Sequence, residues 1–241
     1  MSMNGQQVFV VGGSSGMGLA TARAAAREGA RVTIASSGKE RVDAALRELP
    51  DSCAGVVVDV RDETQVAAAF ERFEEVDHLV FTAGDEFTAR PLAGLDLHDA
   101  RAILDVRFWG AVTVIKHAIG HLRASGSISL TTGTVGQRPM PGAALAAAGA
   151  GATEALVRGL AVELAPVRVN AVRAGAVRTP MWDRIPAPQR DAAFARLAQR
   201  TLVGAVGEPE QIAMAHLFLM QNDYVTGTTL AVDGGSLLAA S

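Results

Sequence analysis

The sequence predicts a doubly wound α/β domain: a seven-stranded parallel sheet with helices on both faces. Three observations carry this. Short apolar runs alternate with stretches of helical apolar spacing along the whole chain, and a glycine cluster separates the first run from the first helical stretch. No linker, repeat or composition break interrupts the 241 residues, which predicts one domain over 1–241. Strands separated by helices imply right-handed crossovers and therefore a parallel sheet.

Taken in order, Gln7 to Val11 is an apolar strand and Met17 to Glu28 carries Ala and Leu at helical spacing, with Gly29 as its C-cap. Strand Arg31 to Ser36 precedes a helix from Lys39 to Leu49 that Pro50 stops. Gly55 to Val60 is the third strand, Asp62 caps a helix reaching about Phe73, and Asp77 to Phe81 is the fourth strand. One long helix is predicted over Leu97 to Arg123. Strand Ser127 to Thr132, an alanine-rich helix Gly142 to Leu164 and strand Val167 to Val172 follow. A helix over Glu208 to Met220 and a strand over Thr228 to Val232 complete the pattern. Arg173 to Thr201, with three prolines between Pro180 and Pro188, reads as irregular. It follows the sixth strand, at the sheet edge where such folds bind ligands, and is either a mobile substrate lid or an ordinary surface loop.

Composition narrows the function classes. The chain is 49% apolar and 20% charged, with net charge −3, so it lacks the basic footprint of a nucleic-acid binder. Met1 to Gln7 has no basic start followed by an apolar stretch, and the uncharged run Pro139 to Thr153 is mostly Ala and Gly, too short and weakly apolar for a bilayer. No membrane partner is expected. A single cysteine, Cys53, excludes an internal disulfide and a cysteine-based zinc site, and the default setting is the reducing cytoplasm. The chain also holds one tyrosine, Tyr224, and two lysines, Lys39 and Lys116, against twenty arginines. Position 228 is threonine, so no Tyr-x-x-x-Lys pair exists anywhere in it.

Gly12-Gly13-Ser14-Ser15-Gly16-Met17-Gly18 stands between the first strand and the first helix. Glycines there permit a tight turn and close backbone approach to a pyrophosphate, and the helix N-terminus offers unpaired N–H groups. The pattern predicts a dinucleotide site of Rossmann type. An NAD site usually ends the second strand with a carboxylate that holds the ribose 2′-hydroxyl. Here that end reads Ala35-Ser36-Ser37-Gly38-Lys39, with Arg41 beyond, which favours NADP(H) over NAD(H). Lys39 and Arg41 are otherwise solvated residues of a first helical turn.

The glycine motif resembles the cofactor motif of the short-chain dehydrogenase/reductase family, and further landmarks follow in the family's order. Asp59-Val60 is similar to its adenine-contacting pair, and Thr82-Ala83-Gly84 to its Asn-Ala-Gly turn, with Thr in the Asn place. Arg168-Val169-Asn170 through Gly175, Val177, Thr179 and Pro180 resembles the segment that lies along the nicotinamide, with Ala174-Gly175 for Pro-Gly. Val225-Thr226-Gly227 and Val232-Asp233-Gly234-Gly235 resemble its C-terminal signature. The resemblance spans the whole chain and implies a Rossmann fold, a small-molecule substrate, and a homodimer or homotetramer.

The family's catalytic Ser, Tyr, Lys and Asn find no chemical equivalent. Aligned on Thr134-Val135-Gly136, these roles fall on Gly133, Ala146, Ala150 and Arg107. Thr132, adjacent to Gly133, could restore a hydroxyl, and Arg107 could stabilise an oxyanion. The plainer readings are strand-end hydrogen bonding for Thr131, Thr132 and Thr134, and pairing of Arg107 with Asp105, Asp99 or a neighbouring subunit. Asp85 and Glu86 are either cleft acids or solvated loop carboxylates. His117 and His121 stand at i, i+4 but have no third ligand, so no metal is expected. Two functions remain open: an NADPH-dependent reductase of a ketone, bulky or polycyclic, with proton delivery unlike the family's, and a non-catalytic NADP(H)-binding sensor or structural subunit. Non-redox chemistry in the same cleft, such as a cyclase or isomerase, is the third.

Overall fold

Alternation along Gln7–Val11 (β1) feeds two apolar layers at once, because this strand is buried on both faces. Val8 and Val10 pack with Ala22, Ile34, Val80 and Met220 on one side, while Phe9 and Val11 pack with Phe70, Leu79, Ile128 and Val157 on the other. The computed structural model describes residues 3–84 and 90–239. Asp85 and Glu86, considered above as cleft acids, lie outside the described residues.

The remaining strands are Arg31–Ser36 (β2), Ala54–Val57 (β3), Val76–Phe81 (β4), Leu122–Gly133 (β5), Arg168–Ala174 (β6) and Thr229–Val232 (β7). They form one seven-stranded parallel sheet in the order β3-β2-β1-β4-β5-β6-β7. The first layer is covered by Gly16–Arg27 (α1), Lys39–Leu46 (α2) and Pro209–Gln221 (α8). Glu63–Phe70 (α3), Ala111–Ala118 (α5) and Ala144–Glu163 (α6) cover the second. Because the chain crosses back over β1 between β3 and β4, the β1 and β4 tips part company with their outgoing helices and leave a crevice between them.

Most boundaries agree with the sequence reading within two or three residues, and Asp62 caps α3 through the Thr64 and Gln65 amides. Two segments differ. The predicted helix over Leu97 to Arg123 is broken: Leu97–Ala102 (α4) leads into a π-helical turn, Asp105–Gly110, then α5, and β5 begins at Leu122. Gly110 sits against Val60, where an added Cβ would come within 2.5 Å of a valine methyl, and the widened turn brings the chain in to that contact. The span read as irregular holds a 13-residue helix, Ala187–Gln199 (α7), whose Phe194 is buried beneath the Arg178 guanidinium at 4.2 Å and edge-on to Trp182. Pro186 and Pro188 occupy the helix start, where a missing N–H is harmless.

Helix α6 has the length and apolarity of a bilayer span, but Glu154 within it is buried and bidentate with Arg173 of β6, at 2.8 and 2.7 Å, as suits a helix covering the sheet. On the opposite face, every second residue of β5 is polar. Ser127 bonds His78 Nδ1 at 2.8 Å, and Ser129 and Thr131 grip the two ring nitrogens of His216 at 2.7 and 3.1 Å. Burial pushes the His216 imidazole down to about 3 and His78 to about 4. Among the described residues, no buried side-chain nitrogen or oxygen lacks a partner.

Both histidines fold neutral, whereas the unfolded chain protonates them near pH 6.5. As pH falls below 6.5 the unfolded state therefore takes up protons that the native state refuses. Stability should fall by about 1.4 kcal/mol per pH unit for each histidine, above the range where carboxylates titrate. Urea midpoints at pH 6.5 and 5 test this: the wild type should lose stability, and the double variant H78Q/H216Q should show a flatter profile. Equal wild-type midpoints would refute it.

Candidate functional site

The crevice is built by contact between two backbones. Gly12, at φ +85°, faces the Thr82-Ala83 peptide so closely that a Cβ on it would lie 2.5 Å from the Ala83 nitrogen. A Cβ on Gly18 would collide with the Gly12 carbonyl and Thr82 Oγ1. Thr82 closes the junction by donating both its amide and its hydroxyl to the Val11 carbonyl, at 2.8 and 3.1 Å. The turn after β1 and the turn after β4 thus become one wall, and only glycine fits at its two closest points.

Helix α1 begins at Gly16 with Ser15 as N-cap, and the Ser15 side chain makes no capping bond, leaving the first-turn amides to face the crevice. Ser14 is half-buried and Ser15 exposed. Thr179 closes from the far side, its Cβ 3.2 Å from where a Cβ on Gly16 would be. A cradle that a Cβ would fill, floored by unpaired amides at a positive helix end, fits a pyrophosphate. Met17 is half-buried against Val172 and its neighbours. Val177 is buried and its carbonyl accepts from Trp182 Nε1, while Gly175 lies against Asp233.

At the tip of β2 the two cations named from the sequence lie differently. Lys39 pairs with Asp43 at 2.6 Å, one helical turn along, and is not turned toward the β2 tip. Arg41 lies there instead: its Nη2 donates to Ser37 Oγ at 2.9 Å, and its guanidinium crosses Gly38. Ser36 ends β2 and Ser37 is exposed. Asp59 is half-buried, and the Arg61 guanidinium gripping it at 2.6–3.2 Å holds its carboxyl below the usual range. Val60 is buried beside it, beyond the end of β3 rather than within it.

At the other end of the crevice Arg107 projects from the π-helical turn onto Gly84, with all three terminal guanidinium atoms 2.6–2.9 Å from a Cβ built there. Thr132 is buried, and its hydroxyl donates to the Ala150 carbonyl at 3.3 Å. Gly133 is open: a Cβ on it would meet nothing closer than 3.8 Å. Ala146 and Ala150 are half-buried on α6, and Ala150 packs against Gly136. Tyr224 is 96% exposed, so it serves no cleft. His117 bonds Glu63 and His121 the Phe73 carbonyl, and among the described residues no cluster could hold a metal.

Sequence reasoning named the residues of the cradle and offered both Lys39 and Arg41 near the β2 tip, but did not single out Arg61 or Arg138. The last donates from one nitrogen to the Ser236 and Ala239 carbonyls, at 2.6 and 3.0 Å, tying the loop after β5 to the C-terminal turn. Arg61 stands two residues after Asp59 and directly after Val60, a spacing that could have flagged it. Replacing Gly18 by alanine should abolish dinucleotide binding. The wild type should gain about 2.7 kcal/mol of stability with NADPH at a hundred times its Kd, and G18A should gain none, as read by thermal melting. An equal gain in G18A would contradict the cradle assignment.

Comparison with known proteins agrees with this geometry. The model of a family described as Enoyl-(Acyl carrier protein) reductase matches residues 11–236. The short-chain dehydrogenase/reductase ucsE of Acremonium sp is 36% identical, covering 96% of this chain and 95% of that protein. The solved structure of the MalC Reductase/Diels-Alderase from Malbranchea aurantiaca superposes with a TM-score of 0.92 at 30% identity, over 98% of both chains. A small-chain dehydrogenase in complex with NADPH superposes at 0.86 with 36% identity, over 98% of this chain and all of that one. The chain belongs to the short-chain dehydrogenase/reductase family.

Proposed function

We propose that the chain is an NADP(H)-dependent reductase of a ketone that works without the family's Tyr–Lys acid. The observation carrying this reading is a complete dinucleotide cradle joined to Arg107, in a chain whose one tyrosine is at the surface. Gly12, Gly16, Gly18 and Thr179 would hold the pyrophosphate, Thr82 to Gly84 and Gly175 to Val177 the nicotinamide side, and Ser37, Arg41 and Asp59 the adenosine. The absence of a carboxylate at the β2 tip, with Arg41 laid across it, supports NADP(H). The relative solved with NADPH supports it too.

Bound there, a reduced nicotinamide supplies a hydride. The chain's own contribution is chiefly positional. Alignment of reactants reaches effective molarities of about 10⁵–10⁸ M, whereas a general acid typically contributes about 10²–10⁴-fold. Loss of the Tyr and Lys functions therefore leaves most of the advantage in place. A guanidinium stays protonated throughout the working pH range, so Arg107 stabilises negative charge rather than delivering a proton. Water or the substrate's own hydroxyl delivers it. The space left at Gly133, Ala146 and Ala150 suits a bulky substrate, and residues 173–201 form the lid over it. Exposed Met214 and Phe218 on α8 and Val162 on α6 support association into a homodimer or homotetramer.

One observation favours a second reading, a non-catalytic NADP(H)-binding subunit: Thr132 already donates its hydroxyl to Ala150. NADPH oxidation across a panel of bulky ketones separates the two. Slow, saturable turnover lost in R107Q supports the reductase, whereas tight NADPH binding with no turnover supports the subunit. For cofactor choice, R41A should weaken NADPH binding by about 10- to 100-fold, the loss of one charged hydrogen bond, and leave NADH affinity unchanged in a fluorescence titration. Equal losses for both dinucleotides would remove Arg41 from the phosphate site.

A further inference from the structure

Resting on the dinucleotide site of the proposed reductase, we infer that Trp182 is a positioning residue. Its indole N–H latches helix α7 to the Val177 peptide on the nicotinamide side of the crevice, so that lid and cofactor engage together. Helix α7 has a single deep anchor in the body of the fold. Phe194 is the one buried residue in it, and two groups close over that ring. The Arg178 guanidinium lies 4.2 Å from its centre, and the Trp182 ring stands edge-on at 5.2 Å. Both covering groups come from the short segment after β6, and both are tethered. Arg178 pairs with Glu208, the N-cap residue of α8, at 3.2 Å, and Trp182 Nε1 donates to the Val177 carbonyl at 3.0 Å.

The backbone around Val177 gives that last bond its meaning. Gly207 donates to the Ala176 carbonyl and accepts from the Arg178 amide, both at 2.9 Å, which makes a parallel bridge centred on Val177. In such a bridge the central residue's own N–H and C=O point away from the partner. The C=O takes the indole, and the N–H donates to no group among the described residues. The same segment reaches the cradle two residues on, where the Thr179 Cβ lies 3.2 Å from a Cβ built on Gly16. A carboxamide brings the oxygen acceptor that such an N–H needs. A peptide free to turn loses that freedom on binding, whereas one already held by Trp182 has none to lose. The ring that holds it also covers Phe194, so departure of the lid releases the constraint on Val177. Order at one end favours order at the other, and linkage makes the effect equal in both directions.

Three binding measurements on the purified full chain test the latch without turnover. W182F keeps a ring against Phe194 and loses the N–H. Titration calorimetry should show NADPH weakened by about 2- to 10-fold, the loss of one hydrogen bond. 2′-Phospho-ADP-ribose, which lacks the nicotinamide, should bind wild type and W182F equally. Equal losses for the two ligands, or no loss for NADPH, overturn the inference. The second measurement is hydrogen exchange over Ala187–Gln199. NADPH should slow it in the wild type by a similar factor, 2′-phospho-ADP-ribose should leave it unchanged, and W182F should respond to neither. Protection by NADPH that survives in W182F, or protection by the nicotinamide-free ligand, overturns the latch and leaves the dinucleotide site standing. Failure of both ligands to bind the wild type overturns the site and the latch together. In the third, F194A should weaken NADPH when Trp182 is present and leave it unchanged in W182F, a non-additivity that two independent packing defects would not give. Additive losses overturn the coupling. The exchange comparison of the two ligands is read on the wild type, so it decides even if a variant fails to fold.

Discussion

Everything at the carboxyl edge of this sheet hangs on the contact of Gly12 and Gly18 with the Thr82-Ala83 peptide. It sets the distance between the β1 and β4 tips, and it decides where α1 begins. It also brings Gly84 to the place where the π-helical turn can lay Arg107 on it. Such a contact has no side-chain substitute, since a single added carbon at either glycine meets backbone that cannot rotate away. The two ends of the crevice are built differently from this middle. At the adenosine end, flexible arginines lie over small residues, Arg41 over Gly38 and Arg61 over Asp59. At the other end, packing among Leu104, Gly110, Gly149 and Val60 fixes the turn that carries Arg107.

Charge divides the molecule in a similar way. On the α6 side a buried ion pair, Glu154 with Arg173, is bidentate and closed on itself. On the α8 side the buried polar groups are two imidazoles, three hydroxyls, the Asn170 amide, which bonds the Val225 carbonyl and the Thr228 amide, and one cation, Arg168, whose guanidinium caps α8 through the Leu219 and Met220 carbonyls.

The fold was legible because the strands announce themselves as apolar runs, and the glycine turn because its spacing admits few other uses. What escaped was set by geometry that spacing does not encode. Leu97 to Arg123 keeps a helical apolar pattern through Leu104, Phe108 and Ala111, so nothing in it betrays a π-helical turn or an early β5. The prolines near α7 read as breakers, yet Pro186 and Pro188 stand where a helix starts. Lys39 and Arg41 were equal candidates in sequence, and nothing in their spacing from the β2 tip shows that Asp43, one turn after Lys39, pairs with it. That no Tyr-x-x-x-Lys pair exists was legible from counting alone. The seating of Arg107 on Gly84 was not, because those residues are 23 positions apart.

The polar row along β5 has a consequence for how the sheet assembles. Side chains alternate across a strand, so a slip of one residue would turn Ile128 and Leu130 toward His216 and drive Ser129 and Thr131 into the aliphatic layer beneath α6. Two imidazoles and three hydroxyls would then be buried without partners, each a penalty of about 1–3 kcal/mol. An all-aliphatic strand could tolerate several alignments with its neighbours. This one admits a single alignment, so β5, flanked by β4 and β6, acts as the ruler against which the rest of the sheet is set.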